Sequence, residues 1–308
     1  MITNDDVIRV SKENGFDMVG FAKAELLNKE FEQYITWLEN GYQAGMKYME
    51  KNQGKRKDVK EIFSKAKSII SLGINYYTPQ SYSGDKSKGK ISKYSWGKDY
   101  HLVIWEKLFL LIQKLKEIDI SFEAISYVDT GPMMDKAWSI RAGIGWQGKH
   151  TNIINKEFGS WFFIGNIITN YEFEYSMQIE DFCGTCTACI EACPTKAIIE
   201  PYIVDSNKCI SYHTIENKGE IPIELKRKFE NWLFGCDICQ DVCPWNIKFS
   251  QSTSITEFYN IEDKGELQLE KVMNLKEEEF ASLFANSAVK RAKLKGLKRN
   301  AAFLNESI

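Results

Sequence analysis

All eight cysteines of this 308-residue chain fall between Cys183 and Cys243. The first run is Cys183-x2-Cys186-x2-Cys189-x3-Cys193-Pro194. The second is Cys236-x2-Cys239-x3-Cys243-Pro244, preceded by Cys209. Four thiolates bind a cubane iron–sulfur cluster, and these short spacings let one loop wrap three of its corners. The fourth cysteine of such a run ligates the other cluster in two-cluster ferredoxins. Cys183, Cys186, Cys189 and Cys243 are therefore expected to hold cluster 1, and Cys193, Cys209, Cys236 and Cys239 cluster 2. Small neighbours such as Gly184, Thr185 and Ala188 let backbone N–H groups approach the sulfurs. Structural zinc sites also use CxxC pairs, but interlocked x2, x2, x3 spacing followed by proline is the ferredoxin signature. The chain is expected to carry two [4Fe–4S] clusters and to move electrons.

A bare ferredoxin needs far fewer residues, and more than half of this chain lies upstream of the clusters. Hydrophobic residues make up 44% and aromatic ones 13%, enough to fill a sizeable core. The net charge of −2 gives no global nucleic-acid signature, so a polyanion site must be a local patch. The N-terminus has neither an apolar leader nor a twin arginine, and no apolar run is long enough to span a bilayer. A cytoplasmic protein with no membrane partner is expected.

The upstream region alternates strands and helices. Helices are expected over 4–14, 29–50, 100–117 and 133–141, with Pro132 in the first turn of the last. Strands are expected over 17–22, 67–77 and 121–128. A loop is expected over 78–93 and a hairpin over 151–156 and 160–169. The whole reads as α+β: an α/β domain over 1–172, a ferredoxin-like two-cluster module over 173–250, and a short helical basic tail over 251–308.

Several ordered motifs carry a resemblance. They are Trp96-Gly97-Lys98-Asp99-Tyr100-His101, Val128-Asp129-Thr130-Gly131, Arg141-Ala142-Gly143-Ile144-Gly145-Trp146, Gly148-Lys149-His150, Gly159-Ser160-Trp161-Phe162 and Lys208-Cys209-Ile210-Ser211-Tyr212, with an echo in Arg299-Asn300-Ala301. Together with the cysteine runs they resemble the epoxyqueuosine reductase family, which completes queuosine on tRNA. Many members carry a C-terminal helical-repeat extension, which this sequence lacks. The resemblance implies an N-terminal cobalamin-binding domain related to reductive dehalogenases. No Asp-x-His-x-x-Gly run is present, which fits base-off cobalamin without a protein histidine on cobalt. The implied partners are tRNA carrying epoxyqueuosine and a low-potential electron donor, with the enzyme acting as a monomer.

Removing an epoxide oxygen to leave an alkene takes two electrons and two protons and releases water. Cob(I)alamin is a strong nucleophile and reductant that low-potential clusters can feed. The family's proton donor maps onto Asp129, at the end of the strand over 121–128. Its ordinary role there would be an Asx-type cap for the helix after Pro132. As an acid it needs its pKa raised above about 3.9, by burial or exclusion of water. Asp135, in the helix, reads as a surface residue. The resemblance suggests cobalamin contacts from Arg56, Lys93, Ile153 to Asn155, Ile164, Ser211 and Asp237. Arg56 and Lys93 also sit in lysine-rich stretches that read as surface, and Ile153 and Ile164 as strand core. His150 and His213 read as structural histidines.

Six of the ten residues Lys290 to Arg299 are basic. With Lys218 and Lys226-Arg227-Lys228 they form a candidate phosphate-tracking surface for tRNA; alone they would read as a solvated helix face. Lys218 is the named tRNA contact. The competing readings are a reductive dehalogenase-like enzyme acting on a small substrate, and a non-catalytic iron–sulfur electron carrier.

Overall fold

A computed structural model describes residues 1–259 and 265–305. The N-terminal part runs α1 (Asn4–Glu13), β1 (Met18–Lys23), α2 (Asn28–Glu39), α3 (Gln53–Lys57), β2 (Ser68–Asn75), β3 (Lys88–Ile91), α4 (Tyr100–Ile118), β4 (Ala124–Tyr127), α5 (Asp135–Arg141), β5 (Trp146–Gln147), β6 (Ile153–Ile154) and β7 (Phe162–Thr169). The cysteine region adds α6 (Ala188–Ala192), β8 (Ile198–Glu200), β9 (Ile203–Val204), β10 (Trp232–Phe234), α7 (Ile238–Asp241) and α8 (Pro244–Phe249). The tail supplies β11 (Glu266–Gln268), α9 (Leu269–Asn274), α10 (Glu277–Leu283) and α11 (Lys293–Asn305). Residues 260–264 and 306–308 of the expected helical tail lie outside the described residues.

The central sheet has the order β1-β2-β7-β4, and each pairing in it is antiparallel. Every residue of β2 is buried. Successive side chains of a strand face opposite sides, so Ile70, Leu72 and Ile74 pack with Val103, Ile104, Leu108 and Leu111 of α4 and with Val7 and Val10 of α1. On the other face Ile69 joins Ile168 of β7 and Ala137 and Trp138 of α5. Gly20 of β1 lies against the end of α5, where an added Cβ would sit 1.9 Å from the Ala142 carbonyl oxygen. Backbone cannot yield cheaply there. Gly20→Ala is expected to destabilise the protein by about 1–3 kcal/mol, read as a lowered Tm in a thermal scan.

Three local expectations change here. The helix expected over 29–50 ends at Glu39, where Gly41 takes a left-handed backbone. The stretch expected as a loop over 78–93 contains β3, which hydrogen-bonds in parallel to β10 and antiparallel to β11. Its partners are distant in sequence, so no local periodicity marks it. The expected hairpin over 151–169 reduces to one bridge, Asn155 with Gly159. β6 instead pairs with β5, and β7 joins the central sheet between β2 and β4.

A second core gathers Ile91 and Trp96, then Ile210, Phe229, Trp232 and Leu233, then Leu269, Phe284, Leu297 and Ala301. This core and the sheet β10-β3-β11 both draw on all three segments divided at 172 and 250. The Arg299-Asn300 pair fastens the tail to the cysteine region. The Arg299 guanidinium donates to the carbonyls of Asn217 (2.7 Å), Gly219 (2.6 Å) and His213 (2.7 Å). The buried Asn300 amide donates to Thr214 O and Leu233 O.

Candidate active site

The acid sits in a sharp turn at the end of β4. Asp129 adopts a left-handed backbone, φ 58°, and Gly131 follows where an added Cβ would lie 2.0 Å from the Tyr127 ring. Only a residue without a side chain allows the turn to fold back that closely. The helix begins later than expected, at Asp135 with Met134 before it, so Asp129 is not its cap. The Tyr100 hydroxyl donates to Asp129 Oδ2 at 2.7 Å. The Tyr100 ring stacks on Phe163 of β7 at 4.3 Å and on His101 at 4.1 Å. His101 Nδ1 lies 2.8 Å from Asp99 Oδ1, and its Nε2 lies 3.9 Å from Asp129 Oδ2. The Asp129 side chain is itself 70% exposed, so the burial expected of the acid is not supplied by the protein alone.

These residues open onto a cavity of about 1680 Å³, larger than the roughly 300–1,000 Å³ of a usual small-molecule site. Tyr76, Phe162, Phe163, Ile153, Ile164 and Met133 give it an apolar wall. Arg56, Ser211 and Lys218 also line it. Arg56 is buried rather than on the surface.

Three of the expected contacts stand behind the wall. The Lys93 ammonium donates to Thr78 O (3.2 Å) and Gln80 O (2.6 Å) and lies 4.2 Å over the Trp96 ring. Asp237 is fully buried and accepts from Ser92 Oγ, from Lys93 N at 2.8 Å and from Tyr82 OH at 3.3 Å. The Asn155 amide donates to Ile144 O at 2.6 Å, and its oxygen accepts from Glu157 N at 2.8 Å. Their polar groups make hydrogen bonds within the protein, to backbone and, for Asp237, also to the Ser92 and Tyr82 hydroxyls, which spacing in sequence cannot reveal.

Asp135 is half-buried rather than on the open surface. It lines the cavity and accepts from Asn166 Nδ2 of β7 at 2.8 Å. Burial pushes its carboxyl up to about 7, and the Asp129 charge adds to this. His150 also lines the cavity, and burial pushes it down to about 4, so it is neutral. Its Nδ1 accepts from Asn152 N at 3.2 Å, which puts the ring proton on Nε2. That Nε2 is buried without a partner. His213, by contrast, is satisfied at both nitrogens by Asn207 O and Asn217 Nδ2.

The thiols fall into two neighbourhoods. Cys183, Cys186 and Cys243 act on Cys189, which burial first of all pushes up to about 11. Burial mainly raises Cys239, with Cys209, Asp237 and Cys193 acting on it and Cys189 reaching it from the first neighbourhood. Cys193, Cys209, Cys236 and Cys239 line the cavity, and the other four do not. Among the described residues no three His, Cys, Asp or Glu side chains meet closely enough to hold one metal ion. A cubane does not need them to, since each thiolate binds a different iron. Lys149 steadies the first run by donating to Gly184 O (2.7 Å) and Cys186 O (2.9 Å).

Residues 182–246 match the model of a 4Fe-4S double cluster binding domain, and residues 56–130 that of epoxyqueuosine reductase QueG, DUF1730. The epoxyqueuosine reductase of Leadbetterella byssophila is 48% identical over 294 residues, covering 96% of this chain and 95% of that one. That of Synechocystis sp. is 46% identical over 280 residues, covering 90% and 96%. The chain belongs to the epoxyqueuosine reductase family. It is an oxidoreductase with a two-cluster [4Fe–4S] domain. Among solved structures, an epoxyqueuosine reductase with an epoxyqueuosine-modified tRNA-Tyr stem loop is 33% identical with a TM-score of 0.91, covering 97% of this chain and 80% of that one. A Bacillus subtilis epoxyqueuosine reductase, 32% identical with a TM-score of 0.90 and the same coverage, has its catalytic aspartate loop swung out of the active site.

In this family member the cavity's rim is basic. Lys218, Lys290, Arg291 and Lys293 all line it. Arg291 is held by Glu216 through two hydrogen bonds of 2.8 and 3.0 Å. Arg299 leaves the expected phosphate-tracking set, because its guanidinium is occupied by backbone carbonyls. Among the described residues no helix is long and apolar enough to cross a membrane.

Proposed function

We propose that this protein reduces epoxyqueuosine to queuosine in tRNA, with cobalamin in the cavity, two [4Fe–4S] clusters as its electron supply and Asp129 as proton donor. One observation carries the reading. Asp129 opens onto the same cavity as Cys193, Cys209, Cys236 and Cys239, so a proton source and an electron source share one chamber. Cluster 1 sits on Cys183, Cys186, Cys189 and Cys243, and cluster 2 on the four cavity thiols.

The cavity fits a corrin. It has the volume, an apolar wall, the buried Arg56, and in His150 an unpaired donor for an amide carbonyl. Arg56, Ile153, Ile164 and Ser211 would hold the cofactor, with Lys93, Asn155 and Asp237 supporting from behind the wall. Bound there, cobalamin supplies a low-potential centre that can reduce a carbon–oxygen bond. Tyr100 holds the Asp129 carboxyl by its hydrogen bond, and His101 steadies Tyr100 by stacking. With the cavity filled, the exposed Asp129 carboxyl would be shielded from bulk water and could hand its proton to the departing oxygen. Lys218, Lys290 and Lys293 meet tRNA phosphates at the rim, so affinity falls steeply with salt. The enzyme works as a monomer in the cytoplasm on a low-potential donor.

The test is nucleoside analysis of epoxyqueuosine-containing tRNA after incubation with the protein, cobalamin and a low-potential reductant. Conversion to queuosine that needs both additions is expected. Persistence of epoxyqueuosine would discard the proposal.

A further inference from the structure

Opening an epoxide to an alkene consumes two protons, and Asp129 carries one at a time. We propose that Asp135 is the second proton donor, delivering the proton that turns the departing oxygen into water. This rests on the function proposed above. The balance is as follows. Two electrons arrive singly from the low-potential donor through the clusters. As the first C–O bond breaks, Asp129 protonates the oxygen, leaving a hydroxyl. As the second breaks and the C=C bond forms, Asp135 protonates that hydroxyl and water leaves. Both carboxylates regain protons from solvent.

The geometry supports this. Asp135 lines the same cavity as Asp129. One carboxyl oxygen is fixed by Asn166 Nδ2 at 2.8 Å, the carboxyl also accepts from its own backbone N–H, and a carboxylic acid held this way keeps the capacity to carry a proton. Asn166 is fully buried in β7, so the anchor is rigid. The charged groups acting on Asp135 include Asp129, from the turn after β4, Arg56, from α3, and the neighbouring Lys136. Lys136 follows it on its own helix and donates to Thr151 O and Asn152 Oδ1. β2, β5, β6 and β7, packed against α5, contain no ionisable side chain, and β1 has only the exposed Lys23. Burial and the Asp129 charge lift the carboxyl to about 7, where it is substantially protonated at neutral pH.

The test compares wild type with Asp135→Asn and Asp135→Glu. Asparagine can be accommodated, because Asn166 Oδ1 has no partner and can turn to accept the new amide. Wild-type kcat is expected to fall as pH rises through about 7, since the protonated form is required. Asp135→Asn should lower kcat by at least about 100-fold, with KM for tRNA unchanged and that pH limb gone from the residual rate. Asp135→Glu should restore part of the rate together with the limb. On the cofactor-free protein, difference infrared spectroscopy should find a protonated-carboxyl component titrating near 7 in wild type that Asp135→Asn removes, leaving the component of Asp241, which burial pushes up to about 6. Wild-type-like kcat in Asp135→Asn, a slow variant that keeps the limb, or an unchanged infrared band would each overturn the proposal. Wild-type protein that leaves epoxyqueuosine untouched would instead remove the function reading, and the infrared titration is independent of that failure.

Discussion

Asp129→Asn is expected to cut turnover by about 10²–10⁴-fold while iron, sulfide and bound cobalamin stay at wild-type levels. Asparagine keeps the shape and one acceptor oxygen for the Tyr100 hydroxyl, now 2.7 Å from Asp129 Oδ2. It also tolerates the left-handed backbone at this position, so the turn should persist. What disappears is the transferable proton. The carboxyl is held from one side only, by Tyr100, with His101 Nε2 at 3.9 Å. The loss should therefore appear in kcat rather than in tRNA affinity. Single-turnover assays with metal and cobalamin content measured on the same sample check this, and full activity would remove Asp129 from its role.

The second large effect separates the two clusters. Cys239→Ser should lower iron and sulfide from about eight each per chain to about four each and abolish turnover with any reductant. Cys239 lines the cavity with Cys193, Cys209 and Cys236, so on the proposed ligand sets its cluster would be the last station before the substrate. Cys186 is exposed and away from the cavity. Cys186→Ser should lose a similar amount of iron yet keep single turnover with a small chemical reductant that reaches the inner cluster directly. Iron and sulfide assays beside single-turnover nucleoside analysis distinguish the variants. Equal loss of activity in both under chemical reduction would contradict this ordering.

The comparison between sequence and structure turns on which signals are local. The x2, x2, x3 runs are local, because one loop must wrap one cluster. β2 was also legible, since a strand with neighbours on both sides and helices on both faces is buried throughout and carries mostly apolar residues. The β4-to-turn segment around Asp129 was legible through glycine and proline. β3 was not, because its partners β10 and β11 come from far along the chain. Asp135 looked like a solvent-facing helical residue, as most aspartates on helices are. It became a cavity carboxyl only because α5 packs on β7 and aims it at Asn166. Tyr100 and His101 stood within a motif noted in the sequence, but their meeting with Asp129 depends on the packing of α4 beside β7.

By itself the sequence determined that this chain binds clusters and belongs among reductases of a particular kind, since ligand spacing and ordered motifs are properties of the chain read in one dimension. Only the tertiary structure decided which thiols face the cavity, which basic residues line it, and which second carboxyl shares it with Asp129. Those depend on burial and on side-chain direction. Both are set when segments distant in sequence, such as Lys93 with Asp237 or Arg299 with His213, close on one another to satisfy buried backbone and charge.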